Sequence, residues 1–247
     1  MRTIKLLIAY DGTDFSGWQR QDGSNFRTVQ GLIEGALAKM HGRPVALAGS
    51  GRTDAGVHAV AQAASFTTDI ASIQAGRFVP ALNGLLPKDV RIIGANEEKP
   101  GFHARFNARM RTYRYFFICG RQALPHESRY ALQLWRHPRI DLLNAYCRLL
   151  PGERDCSVFA GAGDKSKSRL RYIYNAVFFA EGDRLVFEIS ANAFLWKMVR
   201  SLAGTFLHYE ERGAPPDLLR DIIASADRSL AGPTLEPQGL FLWNVDY

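Results

Sequence analysis

Hydrophobic and polar residues alternate over residues 3–10, and this period of two is typical of a half-buried β-strand. A polar, glycine-rich stretch over 11–27 predicts a loop. Apolar residues then recur at every third or fourth position, which predicts a helix that follows Thr28 as its N-cap and stops at Gly42. The chain therefore opens with a strand, a long loop and a helix.

The same two periods assign the elements along the rest of the chain. Strands are predicted over 45–50, 59–68, 90–95, 110–119, 171–180, 184–191 and 239–246. Helices are predicted over 72–84, 141–150, 194–212 and 216–226. The order β-α-β-β-α-β thus occurs twice in succession, which predicts an α+β protein of two similar halves, 1–105 and 106–247, with the main cleft between them.

The composition is that of an ordinary globular protein. The chain has 247 residues, of which 47% are hydrophobic and 22% are charged. It has no apolar run of about 18 residues or more, so no transmembrane helix is expected. The first residues lack the apolar core of a signal peptide, and the three widely spaced cysteines favour reduced thiols in the cytoplasm over a disulfide framework.

Sequence patterns for metal ions and nucleotide cofactors are missing. The six histidines are scattered singly, and no CxxC or HxxxH pair is present, so we expect no metal site. Neither GxGxxG nor GxxxxGK[ST] occurs, so we expect no cofactor that such a motif would bind.

The charge balance favours a polyanionic partner. Lysine and arginine number 31 against 24 aspartates and glutamates, which gives a net charge of +7 and a pI of about 9.5. The segments 102–117 and 165–174 interleave basic and aromatic residues, so cations could contact phosphates while rings stack on exposed bases. The same alternation also fits a strand with one solvent-exposed and one buried face. RNA binding and an ordinary amphipathic strand both remain open.

A charged pair lies in the small-residue stretch 51–56, GRTDAG. Asp54 can close a turn or cap a helix there, with the glycines supplying unusual backbone angles. It can also be a carboxylate held in a cleft, with a cation nearby that keeps it ionised where water is scarce. These six residues alone do not separate a structural turn from a reactive one.

Six stretches, in order along the chain, carry a resemblance to a known family. They are YDGTDFSGWQRQ, TVQGLIEGAL, GRTDAGVHA, FHARFNARMRTYRYFF, SANAFLWKMVRSLAG and GLFLWNVDY. Together they resemble the tRNA pseudouridine synthase A family, which acts on the anticodon arm of tRNA. The chain departs from the family pattern at Trp196, at Lys197 and over 155–171, which leaves its contacts with RNA open.

The resemblance implies roles for particular residues. Asp54 takes the place of the nucleophile, Arg200 that of the arginine paired with it, and Tyr113 that of the substrate-binding tyrosine. The resemblance also implies ferredoxin-like halves that share a large, mostly antiparallel sheet, with helices on one side and a central cleft. It further implies a homodimer that acts on uridines at positions 38, 39 and 40 of tRNA.

The implied reaction needs a nucleophile but no redox partner. The N1–C1′ bond of uridine breaks, the uracil turns, and C5 joins C1′. Asp54 can attack C1′ or C6, or assist elimination at the sugar, and the sequence leaves these three open. Tyr113 offers a flat face for the flipped base and a hydroxyl for the C5 proton, although it also fits a core aromatic of a strand. Arg52 is expected to hold a phosphate or the flipped nucleotide.

Three other functions fit parts of the sequence. A glycoside hydrolase needs a second, protonated carboxylate, and no second acidic motif stands out. A non-catalytic RNA-binding module explains the charge and the aromatic residues but leaves GRTDAG without a role. A pseudouridine synthase with a different RNA target explains both features.

Overall fold

The structure is a computed structural model that describes residues 1–247 except 22 and 24. Those two residues belong to the predicted loop 11–27 and lie outside the described residues. The protein is of the α+β class and has a large, mixed and mostly antiparallel sheet of ten strands. In the described part of the chain, no helix has the length and apolar character needed to cross a membrane.

The elements follow one another from strand β1 to strand β10. The strands are β1 (Arg2–Tyr10), β2 (Ala48–Gly49), β3 (His58–Thr68), β4 (Val90–Glu98), β5 (Met110–Cys119), β6 (Leu132–Leu134), β7 (Gly152–Asp155), β8 (Leu170–Glu181), β9 (Arg184–Ala191) and β10 (Leu240–Asp246). The helices are α1 (Val29–His41), α2 (Phe78–Asn83), α3 (Ile140–Cys147), α4 (Met198–Glu211) and α5 (Pro216–Ser225). The chain divides into two compact units, Met1–Arg109 with Phe241–Tyr247, and Met110–Leu240.

In the first unit, β1 pairs antiparallel with both β3 and β4. The alternation seen in the sequence places Ile4, Leu6 and Ile8 in the core, where they are fully buried. Helix α1 begins and ends as predicted. The Thr28 hydroxyl accepts a hydrogen bond from the Gly31 N–H at its start, and Gly42 has a left-handed φ of 67° at its end.

In the second unit, β9 pairs antiparallel with both β5 and β8, and β8 pairs antiparallel with β7. The predicted hairpin between β8 and β9 is confirmed, with Gly182 in its turn at a φ of 61°. The short strands β6 and β7 were not predicted, because three or four residues are too few to show a period.

One prediction near the C-terminus is wrong in detail. The helix predicted over 194–212 begins only at Met198, because Lys197 has a left-handed φ of 61° and cannot continue a helix. The last strand, β10, pairs parallel with β3, and Phe241 lies opposite His58. Residues Phe241–Tyr247 accordingly belong to the first unit, and the division into domains at 105 and 106 stays a prediction.

Candidate active site

Asp54 lies in the first unit, in the loop that joins β2 to β3. The residue is half-buried, whereas Arg52 is exposed and the intervening Thr53 is buried. The Val57 N–H donates to the Asp54 carbonyl oxygen over 3.2 Å and closes a turn. Gly56, inside this turn, has a φ of 77°, which residues other than glycine rarely adopt. The stretch GRTDAG is therefore a tight turn that presents one carboxylate.

The loop before α1 packs closely against this turn. A Cβ atom on Gly12 would lie 2.0 Å from the Val57 carbonyl oxygen, and one on Gly17 would lie 2.8 Å from the Thr53 carbonyl oxygen. The Trp18 N–H donates to that same Thr53 oxygen over 3.1 Å. The glycines of YDGTDFSGW thus allow two backbone segments to touch, which fixes the residue before Asp54.

Buried side chains hold the turn from beneath. The hydroxyl groups of Tyr10 and Thr53 are 2.8 Å apart in a buried hydrogen bond. Burial raises the pKa of Tyr10, so its phenol stays neutral. The Ser50 hydroxyl donates to Gln62 Oε1 over 2.6 Å, and Gln62 Nε2 donates to the Gly51 carbonyl over 3.0 Å. Fully buried Gln62 therefore ties the start of the turn to β3.

Arg52 extends from the same turn into solvent. Its Nε donates to Gln19 Oε1 over 3.0 Å, which orients the guanidinium without burying it. An exposed, oriented guanidinium suits contact with a phosphate. Its predicted role in holding RNA stays a prediction.

Tyr113 lies in the second unit, on β5, opposite Ile189 of β9. It is 8% exposed, and its ring meets the ring of Phe194 edge to face, with centroids 5.1 Å apart and planes at 85°. Phe194 belongs to the stretch between β9 and α4. Tyr113 is thus packed as a strand aromatic, and its role in receiving a base stays a prediction.

Arg200 lies in the first turn of α4 and is half-buried. Its Nε donates to the Leu235 carbonyl over 2.7 Å, and the Leu235 N–H donates back to the Arg200 carbonyl over 3.3 Å. Burial raises the pKa of Tyr115, and the positive charge of Arg200 opposes part of that rise. The guanidinium is therefore oriented by its own unit. Its pairing with Asp54 stays a prediction.

The predicted site residues are distributed over both units, with Asp54 and Arg52 in the first and Tyr113 and Arg200 in the second. Sequence reasoning missed the supporting role of Gln62, although a signal existed, since it is the one amide in the apolar strand stretch AVAQAASF. Among the residues that the structure describes, His, Cys, Asp and Glu form no group of three suited to a metal ion.

The chain matches the family model of tRNA pseudouridine synthases over residues 6–107 and 146–247. It is 53% identical over 249 residues to the tRNA pseudouridine synthase A of Treponema denticola, which covers 100% of this chain and 93% of that relative. It is 51% identical over 236 residues to the enzyme of Treponema pallidum, covering 94% of this chain and 84% of the relative. The enzyme of Caldicellulosiruptor bescii is 41% identical over 248 residues, with both chains fully covered.

These matches define the class of the protein as a pseudouridine synthase, an isomerase that converts uridine to pseudouridine in tRNA. Within that class, the chain belongs to the tRNA pseudouridine synthase A family. The resemblance predicted from the six sequence stretches is confirmed.

Proposed function

We propose that this chain isomerises uridines at positions 38, 39 and 40 in the anticodon arm of tRNA, with Asp54 as the nucleophile. The observation that supports the proposal best is the anchored turn around Asp54. The neighbouring Thr53 is hydrogen-bonded through its hydroxyl to Tyr10 and through its carbonyl to the Trp18 N–H. A reacting group has to stay within about 0.5 Å of its productive position, and such anchoring suits that demand.

The chemistry requires no second substrate. Breaking the N1–C1′ bond and forming the C5–C1′ bond leaves one proton to be removed from C5, and N1 gains one proton in the product. An ionised carboxylate can attack C1′ or C6, or assist elimination at the sugar. In each of the three routes, the negative charge of Asp54 is what the reaction uses.

Tyr113, Arg200 and Arg52 complete the proposed site. Tyr113 receives the flipped uracil against its ring, and its hydroxyl relays the C5 proton by accepting it while passing its own proton to water. Arg200 pairs with Asp54, and its hydrogen bond to the Leu235 carbonyl supports this role by orienting the guanidinium. The exposed Arg52 contacts a phosphate of the RNA.

The proposal extends to architecture and assembly. Each of the halves 1–105 and 106–247 is ferredoxin-like, with a central cleft between them and helices on one side of the sheet. The order β1, α1, β2, β3, α2 and β4 in the first unit supports this assignment. The enzyme is a homodimer in the cytoplasm, as the family resemblance implies.

The test replaces Asp54 with asparagine, which keeps the size and turn preference of the residue but removes its charge. We expect Asp54→Asn to melt and bind tRNA as the parent does, and to form no detectable pseudouridine at positions 38, 39 and 40. The matched control is Asp69→Asn, an exposed carboxylate of the same unit that pairs with Arg43 over 2.9 Å. This control should remain fully active.

Two results would contradict the proposal. A near-normal yield from Asp54→Asn would show that the carboxylate is not the nucleophile and that the turn is structural. Pseudouridine formed by the parent only outside the anticodon arm would contradict the proposed target. Light scattering on the same preparations tests the assembly, because a fully active monomer would contradict the homodimer.

A further inference from the structure

An exposed tryptophan stands two residues before α4. Trp196 is 45% exposed, whereas Trp18 beside the Asp54 turn is 2% exposed. Indole rings are among the most costly side chains to leave in water, and at interfaces they often anchor a ligand. The groups around Trp196 therefore indicate which kind of ligand its ring contacts.

The backbone of Trp196 is fixed on both sides. Its N–H donates to Asp164 Oδ2 over 2.5 Å, and its carbonyl accepts from the Gly161 N–H over 2.8 Å. Burial raises the pKa of Asp164, but hydrogen bonds from the Trp196 and Ser166 N–H groups outweigh burial and lower it. The Asp164 side chain, only 3% exposed, is thus an ionised anchor for the segment that carries the indole.

Glycines in the loop 161–163 leave room for the ring. A Cβ atom on Gly161 would lie 2.9 Å from Trp196 Cε3, and one on Gly163 would lie 2.8 Å from Cζ3. Neither glycine has a positive φ, so the backbone there does not itself require glycine. These positions allow close contact with the indole, which holds the ring in place while the residue as a whole stays 45% exposed.

One positive charge lies over the ring. Lys197 places its Nζ 4.5 Å from the centroid of the Trp196 ring. The backbone of Lys197 has a left-handed φ of 61°, which is costly for a residue other than glycine. Lys165 and Lys167 are exposed in the loop that anchors Trp196. The ligand that fits this arrangement combines a flat ring with negative charge.

We propose that Trp196 is a stacking platform for an unpaired anticodon-loop base other than the uridine that is isomerised, and that Lys197 neutralises the phosphate beside that base. Flipped or unpaired RNA bases stack on exposed aromatic rings, and basic side chains beside the rings contact the backbone. The inference rests on the proposed anticodon-arm substrate. It makes Trp196 and Lys197, two of the departures from the family pattern, positioning residues for RNA.

The test measures equilibrium binding of an anticodon stem-loop RNA, with every variant placed in the Asp54→Asn background. Binding does not require turnover, so the result is independent of the catalytic role of Asp54. We expect Trp196→Ala to weaken binding about 5- to 150-fold, and Trp196→Phe, which keeps a ring, to weaken it less. Gly163→Ala, which removes no polar group but crowds the indole, should also weaken binding.

Controls separate stacking from other effects. Trp135→Ala removes another indole of the second unit, which is 74% exposed, and should leave affinity unchanged. On an RNA duplex without unpaired bases, Trp196→Ala and its Asp54→Asn parent should bind equally. The proposal is overturned if Trp196→Ala binds the stem-loop like the parent, if it loses as much affinity for the duplex, or if Trp135→Ala is equally impaired. Thermal melting of each variant shows whether a loss of affinity is caused by unfolding. If Trp196→Ala does not fold, the affinity of Trp196→Phe for the stem-loop tests the proposal in its place.

Discussion

The turn around Asp54 in the first unit and the segment 192–197 in the second are held in opposite ways. Buried side chains hold the turn from beneath, chiefly through the amide of Gln62 and the hydroxyl of Tyr10. The segment is held by its own backbone, since the N–H and carbonyl of Trp196 both bond to the loop 161–168. The side chains that anchor the turn are buried, whereas Trp196 in the segment is 45% exposed.

The difference suits two different demands. A group that reacts has to be immobile, and a buried, hydrogen-bonded network gives that rigidity because breaking it leaves polar atoms without partners. A group that recognises a mobile RNA loop has to stay accessible, so its backbone is anchored while its side chain is left outside. On this argument the two regions should respond differently to mutation, and substitutions at three positions test whether they do.

The largest effect is expected at Tyr113, whose ring contacts the segment 192–197 through Phe194. Tyr113→Phe keeps this ring contact and removes only the hydroxyl. We expect turnover to fall about 100-fold, a typical contribution of a general base, with melting and tRNA affinity unchanged. Single-turnover formation of pseudouridine at saturating enzyme measures the effect.

The matched control for this substitution is Tyr174→Phe, which removes the hydroxyl of an exposed tyrosine on β8. It should have parental turnover. Unchanged turnover in Tyr113→Phe would leave Tyr113 with a stacking role alone and would remove proton transfer from its proposed functions.

An intermediate effect is expected at Gln62, the fully buried amide beneath the turn. Gln62→Leu takes one hydrogen-bond partner from the Ser50 hydroxyl and one from the Gly51 carbonyl. The free energy of unfolding should fall by about 1–3 kcal/mol, and turnover should fall more than tRNA affinity because the turn carrying Asp54 loosens. Urea unfolding and the separate measurement of kcat and KM check both parts.

Gln122→Leu provides the surface comparison, since the exposed Gln122 amide donates to the Ala123 carbonyl and to the Gln133 side chain of β6. Its free energy of unfolding should stay within about 0.5 kcal/mol of the parent. Equal losses in the two leucine variants would mean that the network beneath the turn is no more important than a surface contact.

The parts of the fold that could be predicted are those determined by nearby residues. Helix α1 begins after Thr28 and ends at Gly42 because both caps act on their own backbone. The start of α4 could not be predicted in this way. The apolar pattern continues back to Phe194, but the Trp196 N–H bonds to Asp164, which is 32 residues away, and Lys197 turns left-handed.

The same distinction applies to the candidate site. Asp54 was found because its stretch GRTDAG is short and contiguous, and its role came from the family resemblance. Gln62 and Asp164 were missed because their importance depends on hydrogen bonds to residues far along the chain. A single amide in an apolar strand was a visible signal for Gln62, whereas one acid among basic neighbours gave no comparable signal for Asp164.

The smallest effect is expected at Lys197, with its left-handed φ of 61°. Lys197→Gly and Lys197→Ala both lose the ammonium beside Trp196, but only glycine adopts this backbone without a penalty of about 1 kcal/mol. In paired urea unfolding experiments, the glycine variant should therefore be the more stable by about that amount. At Lys39, exposed on α1, the same pair should reverse its order, because glycine weakens a helix by about 1 kcal/mol relative to alanine. If alanine is the more stable at both positions, the anchored backbone does not impose the left-handed conformation. The segment 192–197 and the Asp54 turn would then differ only in how exposed their side chains are.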